Sequence, residues 1–261
     1  MSLFVVDVRR SPLAAVNALA KLAAALVVGV PLLLSIDPVS AGVALALILV
    51  LLPFARLRAR DLWLRLWPIV LSAVIAGLAT VLYGRPSATV YLEWGLVRIS
   101  DGSIALALSI VLRVLAIAIP SVVLFATTDP TDLADALAQL AHLPARFVLG
   151  ALAGLRLVGL LISDWRELAL ARRARGVADH GRVRRFLGQA FALFVLAIRR
   201  GSALATAMEA RGFGAPVRRT WARTSRLRPR DGVLVLLAAA VAAASVTAAV
   251  LAGTWTFVFA L

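Results

Sequence analysis

The sequence predicts an all-α fold, a polytopic membrane helical bundle of about five spans with two long amphipathic cytoplasmic helices, and three observations carry that prediction. Hydrophobic residues make up 62% of the 261 positions, above the roughly half-apolar content of water-soluble domains, so the excess faces lipid. Five apolar stretches approach or exceed the roughly 20 residues that a helix needs to cross a bilayer core. The formal charge of +15 comes mainly from arginines grouped between those stretches. They read as positive-inside topology signals, and no nucleic-acid partner is expected.

The five stretches run from Leu13 to Ile36, Val39 to Phe54, Leu66 to Tyr83, Ser103 to Thr127 and Val233 to Phe259. Asp37-Pro38 separates the first two as a tight turn and predicts a helical hairpin. Arg56, Arg58, Arg60 and Arg65 face only Asp61 in the connection after the second stretch. Ile36 to Ser40 carries no basic residue, and Gly84 to Gly102 balances Arg85 and Arg98 with Glu93 and Asp101. The arginine-rich connection and the N-terminus are therefore expected in the cytoplasm, with Pro86 to Ser100 and Leu261 outside. Trp63 and Trp67 suit one interfacial belt and Tyr91 and Trp94 the other. Met1 to Arg10 does not follow the order of a signal peptide, since Phe4 to Asp7 precede the arginines and no small-residue cleavage site follows the apolar run. The N-terminus is expected to stay attached.

Three regions follow: a bundle of four spans over residues 1–127, a cytoplasmic region over 128–231, and a last span over 232–261. The middle region is basic, and charges interrupt each of its apolar runs, so it is not read as further spans. Asp129 caps a short helix, with Pro130 at its first position and Asp132 in its first turn, and Pro144 ends it. From Ala145 to Arg175 the pattern is amphipathic, with Leu157, Leu161, Trp165 and Leu168 on one face. After a polar connection over 177–185, a second long helix runs from about Phe186 to Arg211. It sets Phe191, Phe194, Val195, Ile198, Ala205 and Met208 at helical spacing. Gly150 and Gly154 on one helix, with Ala203 and Ala207 on the other, predict a close approach at the membrane surface.

Several chemistries are excluded or weak. The chain contains no Cys, so disulfides, thiolate metal sites and cysteine nucleophiles are ruled out. His142 and His180, the two histidines, lack metal-ligand spacing and are expected on the surface of a cytoplasmic helix or loop. Lys21 is the only lysine apart from 27 arginines, so no G-x-x-x-x-G-K-[ST] phosphate loop exists and ATP-driven work needs a separate motor subunit. Asp129, Asp132 and Asp135 lie on one helix face, as in an aspartate-rich magnesium-diphosphate motif, but no second cluster faces them and capping accounts for two of them. Arg113, near the middle of the fourth span, is expected to face the bundle interior or a partner and to bond carbonyls or hydroxyls. Arg156, Asp164 and Glu167 could be partner contacts; arginines within helical reach of Asp164 and Glu167 predict pairing within the helix.

Both long helices close on one tripeptide, Ala174-Arg175-Gly176 and Ala210-Arg211-Gly212. A single copy would read as a helix stop, with Gly in the left-handed cap and Arg against the negative end of the dipole. Two copies at equivalent ends point to a shared purpose. Together with Ser11-Pro12-Leu13, Thr127-Thr128-Asp129-Pro130, Leu155-Arg156, Ala171 to Gly176 and Ala207 to Phe213, they make the chain resemble the transmembrane T components of energy-coupling factor (ECF) transporters. That family includes the membrane subunits of cobalt, nickel and biotin uptake systems.

The resemblance implies a non-catalytic subunit of an ABC-type importer in the cell (cytoplasmic) membrane, coupling two cytoplasmic ABC ATPases to a solute-binding S component. Arg175 and Arg211 would pair with acidic groups on the ATPases, while Gly176 and Gly212 would permit the sharp helix end and close contact. Leu157, Leu161, Trp165, Phe191, Phe194 and Ile198 would meet the S component. No cofactor is expected in this chain, since the ATPases would bind ATP and Mg. The solute, a vitamin or a transition-metal ion, is specified by another polypeptide. The alternatives are a self-sufficient polytopic transporter and a conventional importer permease. The first lacks an ionisable lining beyond Arg113, and the second lacks an E-A-A-x-x-x-G loop.

Overall fold

The computed structural model describes residues 11–84, 90–94, 97–176, 181–215 and 220–256. Among these, the α-helices in chain order are α1 (Ala18–Leu34), α2 (Pro38–Leu51), α3 (Ala59–Tyr83), α4 (Asp101–Ala126), α5 (Pro130–Gln139), α6 (Ala145–Ala174), α7 (Arg182–Ala210) and α8 (Pro229–Leu251). Two strands, β1 (Val90–Trp94) and β2 (Val97–Ser100), separate α3 from α4. The chain divides into two compact units, Met1–Ala136 with Ser225–Leu261, and Leu137–Thr224.

In the first unit polar side chains fix the helix ends. Asn17 caps α1, accepting from the Leu19 amide at 2.9 Å. Asp37 caps α2, accepting from the amide and the hydroxyl of Ser40, each at 2.6 Å, with Pro38 at the first helical position. Ser100 and Ser103 form a reciprocal capping box at the start of α4. Asp231 accepts from the Arg228 amide at the start of α8 and from the Asn17 amide beside α1, locking two helix starts together. Lys21, buried in α1, donates to the Thr127 carbonyl at the end of α4 at 2.7 Å.

α4 is the hub of this unit, packing on α1, α2 and α3, while α8 packs on α1 and α2. α1 and α2 scarcely touch each other, so the Asp37-Pro38 turn does not make the helical hairpin expected of it; both helices lean on α4 and α8 instead. The inside is built from small side chains, among them Ala24, Ala44, Ala116, Ala238, Ser40 and Ser245. Large apolar residues such as Leu33, Val50, Leu71, Leu108 and Leu236 face outward. This inversion of a water-soluble core follows from lipid as solvent: burying a leucine gains little there, whereas small residues let helices approach. Among the described residues, α3, α4, α8 and α2 with its continuing turn Leu52–Ala55 are long and apolar enough to span a membrane, as are α6 and α7 by the same measure, with α1 slightly shorter. The chain is thus an all-α, multi-pass membrane protein, with six helices of spanning length among the described residues.

Gly77 sets the closeness of α3 to α4. A β-carbon there would sit 2.6 Å from Val111 Cγ2, and a valine held in a helix has almost no rotamer with which to yield. Gly77→Val should therefore cost about 1 to 3 kcal/mol by overpacking and lower the thermal unfolding temperature of the purified protein. Gly150→Val, where an added β-carbon meets nothing within 4 Å, should cost much less. Equal losses from the two would contradict this packing.

Four boundaries of the first unit differ from expectation, and in the second α7 starts at Arg182 rather than about Phe186, taking in residues expected in the polar connection. The first apolar run is broken at Asn17, and the residues before it form a short 3-10 turn, Pro12–Ala15. α3 starts at Ala59 rather than Leu66, since Arg60, Asp61 and Arg65 are tolerated at a helix end from which long side chains reach water. α8 starts at Pro229 and stops at Leu251; Gly253, at φ +65°, closes it with bonds from Gly253 N to Val250 O and from Thr254 N to Ala249 O. Finally, the connection between α3 and α4 contains an antiparallel hairpin, with Glu93 opposite Arg98 and Trp94 opposite Val97. Met1 to Arg10 and residues 257–261 lie outside the described residues, as do 85–89 and 95–96 within the connection expected outside.

Candidate functional site

The second unit is built on α6 and α7, and the contact between them is polar at its centre. Asp164 of α6 is buried and receives both guanidinium nitrogens of Arg200 of α7, with Nη2 to Oδ1 at 3.0 Å and Nη1 to Oδ2. Gln189, also buried, donates to the Trp165 carbonyl at 2.6 Å. Arg172 Nη2 donates to the Gly188 carbonyl at 2.8 Å. The Trp165 and Phe186 rings meet edge to face, with centroids 5.5 Å apart. The C-terminal half of α6 thus crosses α7 over Phe186 to Arg200. The N-terminal half of α6 and the end of α7 border an open groove of 1130 Å³, lined by Leu149, Leu157, Leu204, Met208 and Phe213 with Arg156 and Arg211.

Two expectations are corrected here. Gly150 and Gly154 do not bring the helices together, because the space where their β-carbons would point is empty to 4 Å. Asp164 does not pair along its own helix; its partner lies 36 residues away. A signal for this pairing was present, since Asp164 falls seven residues after Leu157 and so lies on the apolar face of α6, where a carboxylate needs a counter-charge. Arg200, Arg172 and Gln189 carried no local pattern that singled them out.

The two Ala-Arg-Gly ends share one geometry. Arg175 and Arg211 occupy the cap position, each at φ −89° with ψ 2° and 11°, and Gly176 and Gly212 follow in the left-handed region at φ +69° and +72°. The Gly212 amide donates to Glu209 O at 2.9 Å and the Phe213 amide to Met208 O at 2.9 Å, the two bonds of a Schellman end. The Gly176 amide makes the equivalent bond to Arg173 O at 3.0 Å; the continuation at residues 177–180, with His180, lies outside the described residues. Neither glycine is forced by packing, since a β-carbon at either would meet nothing within 4 Å. Their positive φ is what demands glycine. Ala174, Arg175, Ala210 and Arg211 are exposed, and neither guanidinium bonds to another described residue.

The six candidate partner-contact residues do not form one surface. Phe191, Phe194 and Ile198 are all well exposed on one face of α7. Leu161 and Trp165 line a hollow with Val158 and Leu193, whereas Leu157 lines the larger groove. Arg113 is half-buried in α4; its Nη2 is buried and makes no bond to the described carbonyls or hydroxyls, and Asp37 lies within electrostatic reach. Asp129 accepts from the Thr131 amide at 2.7 Å, a capping bond. His142 is exposed in the turn between α5 and α6. No cluster of three or more potential metal ligands occurs among the described residues.

Fold and site together define a polytopic α-helical membrane protein that presents two matched, cationic helix ends. Residues 9–221 match the family CbiQ, cobalt transport protein. The chain belongs to that family, the transmembrane T components of ECF transporters. It is 35% identical over 156 residues to the energy-coupling factor transporter transmembrane protein EcfT of Limosilactobacillus fermentum, a match covering 55% of this chain and 58% of the relative. The proteins of the same description from Lacticaseibacillus paracasei and Exiguobacterium sibiricum are 32% and 29% identical, over 67% and 65% of this chain and 69% of each relative. The matched region thus spans between 58% and 69% of these relatives' length.

Proposed function

We propose that this chain is the coupling scaffold of an ECF-type importer in the cell membrane, joining two cytoplasmic ABC ATPases to a separate membrane protein that binds the solute, a vitamin or a transition-metal ion. The observation that carries this reading is the pair of identical helix ends. Each delivers an exposed arginine from a rigid backbone cap, and a planar guanidinium at a fixed point suits bidentate pairing with a carboxylate on another subunit. Two such ends suit two copies of one partner. ATP-driven closure of the ATPases would push α6 and α7 past each other as packed helices sliding rather than as a hinge. The Asp164–Arg200 contact is the crossing that such sliding would strain.

The exposed face of Phe191, Phe194 and Ile198, with the Leu161–Trp165 hollow, offers apolar area to the solute-binding partner, and Leu157 offers its area from the groove instead. α6 and α7 are long and apolar enough to cross a membrane, but Arg156, Asp164, Arg166, Glu167 and Arg172 in α6, and Arg184, Arg185, Arg199 and Arg200 in α7, make the cytoplasmic side their proposed place. ATP and Mg belong to the ATPase partners, and the scaffold itself is non-catalytic.

The purified chain alone should neither bind nor hydrolyse ATP, and hydrolysis should appear when the ATPase subunits encoded in the same cell are added. Equilibrium binding of a labelled ATP analogue and phosphate release are the readouts. Saturable nucleotide binding by the chain free of other proteins would overturn the reading.

A further inference from the structure

We propose that the apolar crevice between α1, α2, α4 and α8, with Arg56 and Arg230 at its mouth, is an ordered site for one acidic phospholipid. The crevice has a volume of 260 Å³, and its walls, which include Leu13, Val28, Ile48, Val123, Leu237 and Val241, are almost wholly apolar. Concave and bordered by four helices, it can hold an acyl chain in one place.

Its chemistry changes sharply at one end. Phe54 and Ala55 line it, and Arg56 follows them directly. On α8 the lining residues Leu234, Leu237, Ala238 and Val241 form one helical stripe, and Arg230, four residues before Leu234, begins it on the same face. Arg56 and Arg230 are both exposed. Arg58 and Arg60 continue the positive charge, and Asp61 is the one acidic residue between Arg56 and Arg65. Exposed Trp63 and Trp67 just beyond mark the level of the lipid headgroups. The rim is also held in shape, because the Ser11 hydroxyl donates to the Ala55 carbonyl at 2.7 Å in a buried bond.

An apolar slot ending in guanidinium groups at headgroup depth fits an amphiphile with a hydrocarbon tail and a phosphate of net negative charge. A zwitterionic lipid would fill the slot but gain less at the mouth. A free phosphate ester would gain the mouth but not the slot.

The test is native mass spectrometry of the full-length chain in detergent, titrated with phosphatidylglycerol or with phosphatidylcholine. The parent should retain phosphatidylglycerol roughly thirtyfold better, the scale set by two arginines near a membrane surface, and glycerol 1-phosphate should not displace it. Arg56→Gln with Arg230→Gln should abolish the preference while leaving phosphatidylcholine retention unchanged, and Arg→Lys at both should restore most of it. Leu237→Trp, filling the slot from a half-exposed position, should weaken retention of both lipids. Equal retention of the two lipids by the parent, a preference that survives the double Gln variant, or retention unchanged by Leu237→Trp would each overturn the proposal. Far-ultraviolet circular dichroism checks the fold of each variant, and if Leu237→Trp is misfolded the arginine pair decides alone.

Discussion

Replacing both Arg175 and Arg211 by alanine should release the ATPase subunits from the complex while the chain still inserts in the membrane and still holds its solute-binding partner. If the two arginines were only helix caps, their loss would cost about 0.3 to 1 kcal/mol of local helix stability each, because the Schellman bonds at Gly212 and the matching bond at Gly176 are made by backbone alone. If they are buried against carboxylates at a subunit interface, each truncation costs about 2 to 5 kcal/mol and weakens that contact by roughly thirtyfold to several thousandfold. Neither guanidinium bonds to another described residue, so an internal ion pair among those residues would not account for a large loss. Either single variant should impair coupled ATP hydrolysis, and lysine should rescue only in part, since an ammonium keeps the charge but loses the planar fork. Affinity of the ATPases for the membrane complex, measured by titration in detergent or nanodiscs, checks each step.

Asp164→Ala should loosen the crossing of α6 and α7 without unfolding either helix. A fully buried ion pair that loses one partner costs about 3 to 5 kcal/mol. Here the Arg200 side chain is 37% exposed and that of Asp164 only 10%, so water relieves part of the stranded charge and about 2 to 3 kcal/mol is expected. Asp164→Leu with Arg200→Leu should recover most of that, because no charge is left unpaired. The chain has no cysteine, so spin labels on cysteines introduced at Gly154 and Ala203, both exposed, report the helix separation by pulsed electron paramagnetic resonance. The alanine variant should broaden the distance distribution, and the double leucine variant should narrow it again. An unchanged width in Asp164→Ala would show that apolar contacts such as Trp165–Phe186 suffice.

What could be read from the sequence was local. Apolar runs located the helices of the first unit because lipid imposes length directly on the chain, and Asp129-Pro130 announced a helix start because a carboxylate cap and a proline act within one turn. Asp37-Pro38 read only as a turn between two runs, although Asp37 caps α2 in the same way. The two glycines after Arg175 and Arg211 were likewise legible, since a left-handed cap needs glycine whatever surrounds it. What could not be read was tertiary. Arg200 lies 36 residues from Asp164, and arginines nearer in sequence offered a simpler pairing. The close fit of Gly77 against Val111 depends on how α3 meets α4, while Gly150 and Gly154, whose spacing suggested a close approach, face open space. The β1–β2 hairpin was hidden because strands of five and four residues give too short an alternation to stand out within a polar connection.

The central claim, that the paired arginine ends each hold one ATPase, is tested most directly by counting. The chain would be co-expressed with its ATPase and solute-binding partners, purified through a tag on the chain, and weighed as an intact complex by native mass spectrometry. Two ATPase subunits per chain are expected in the parent, and none, with the solute-binding partner still present, in the double alanine variant. Two ATPases retained on the double variant as tightly as on the parent would contradict it, leaving Ala174-Arg175-Gly176 and Ala210-Arg211-Gly212 as helix stops and nothing more.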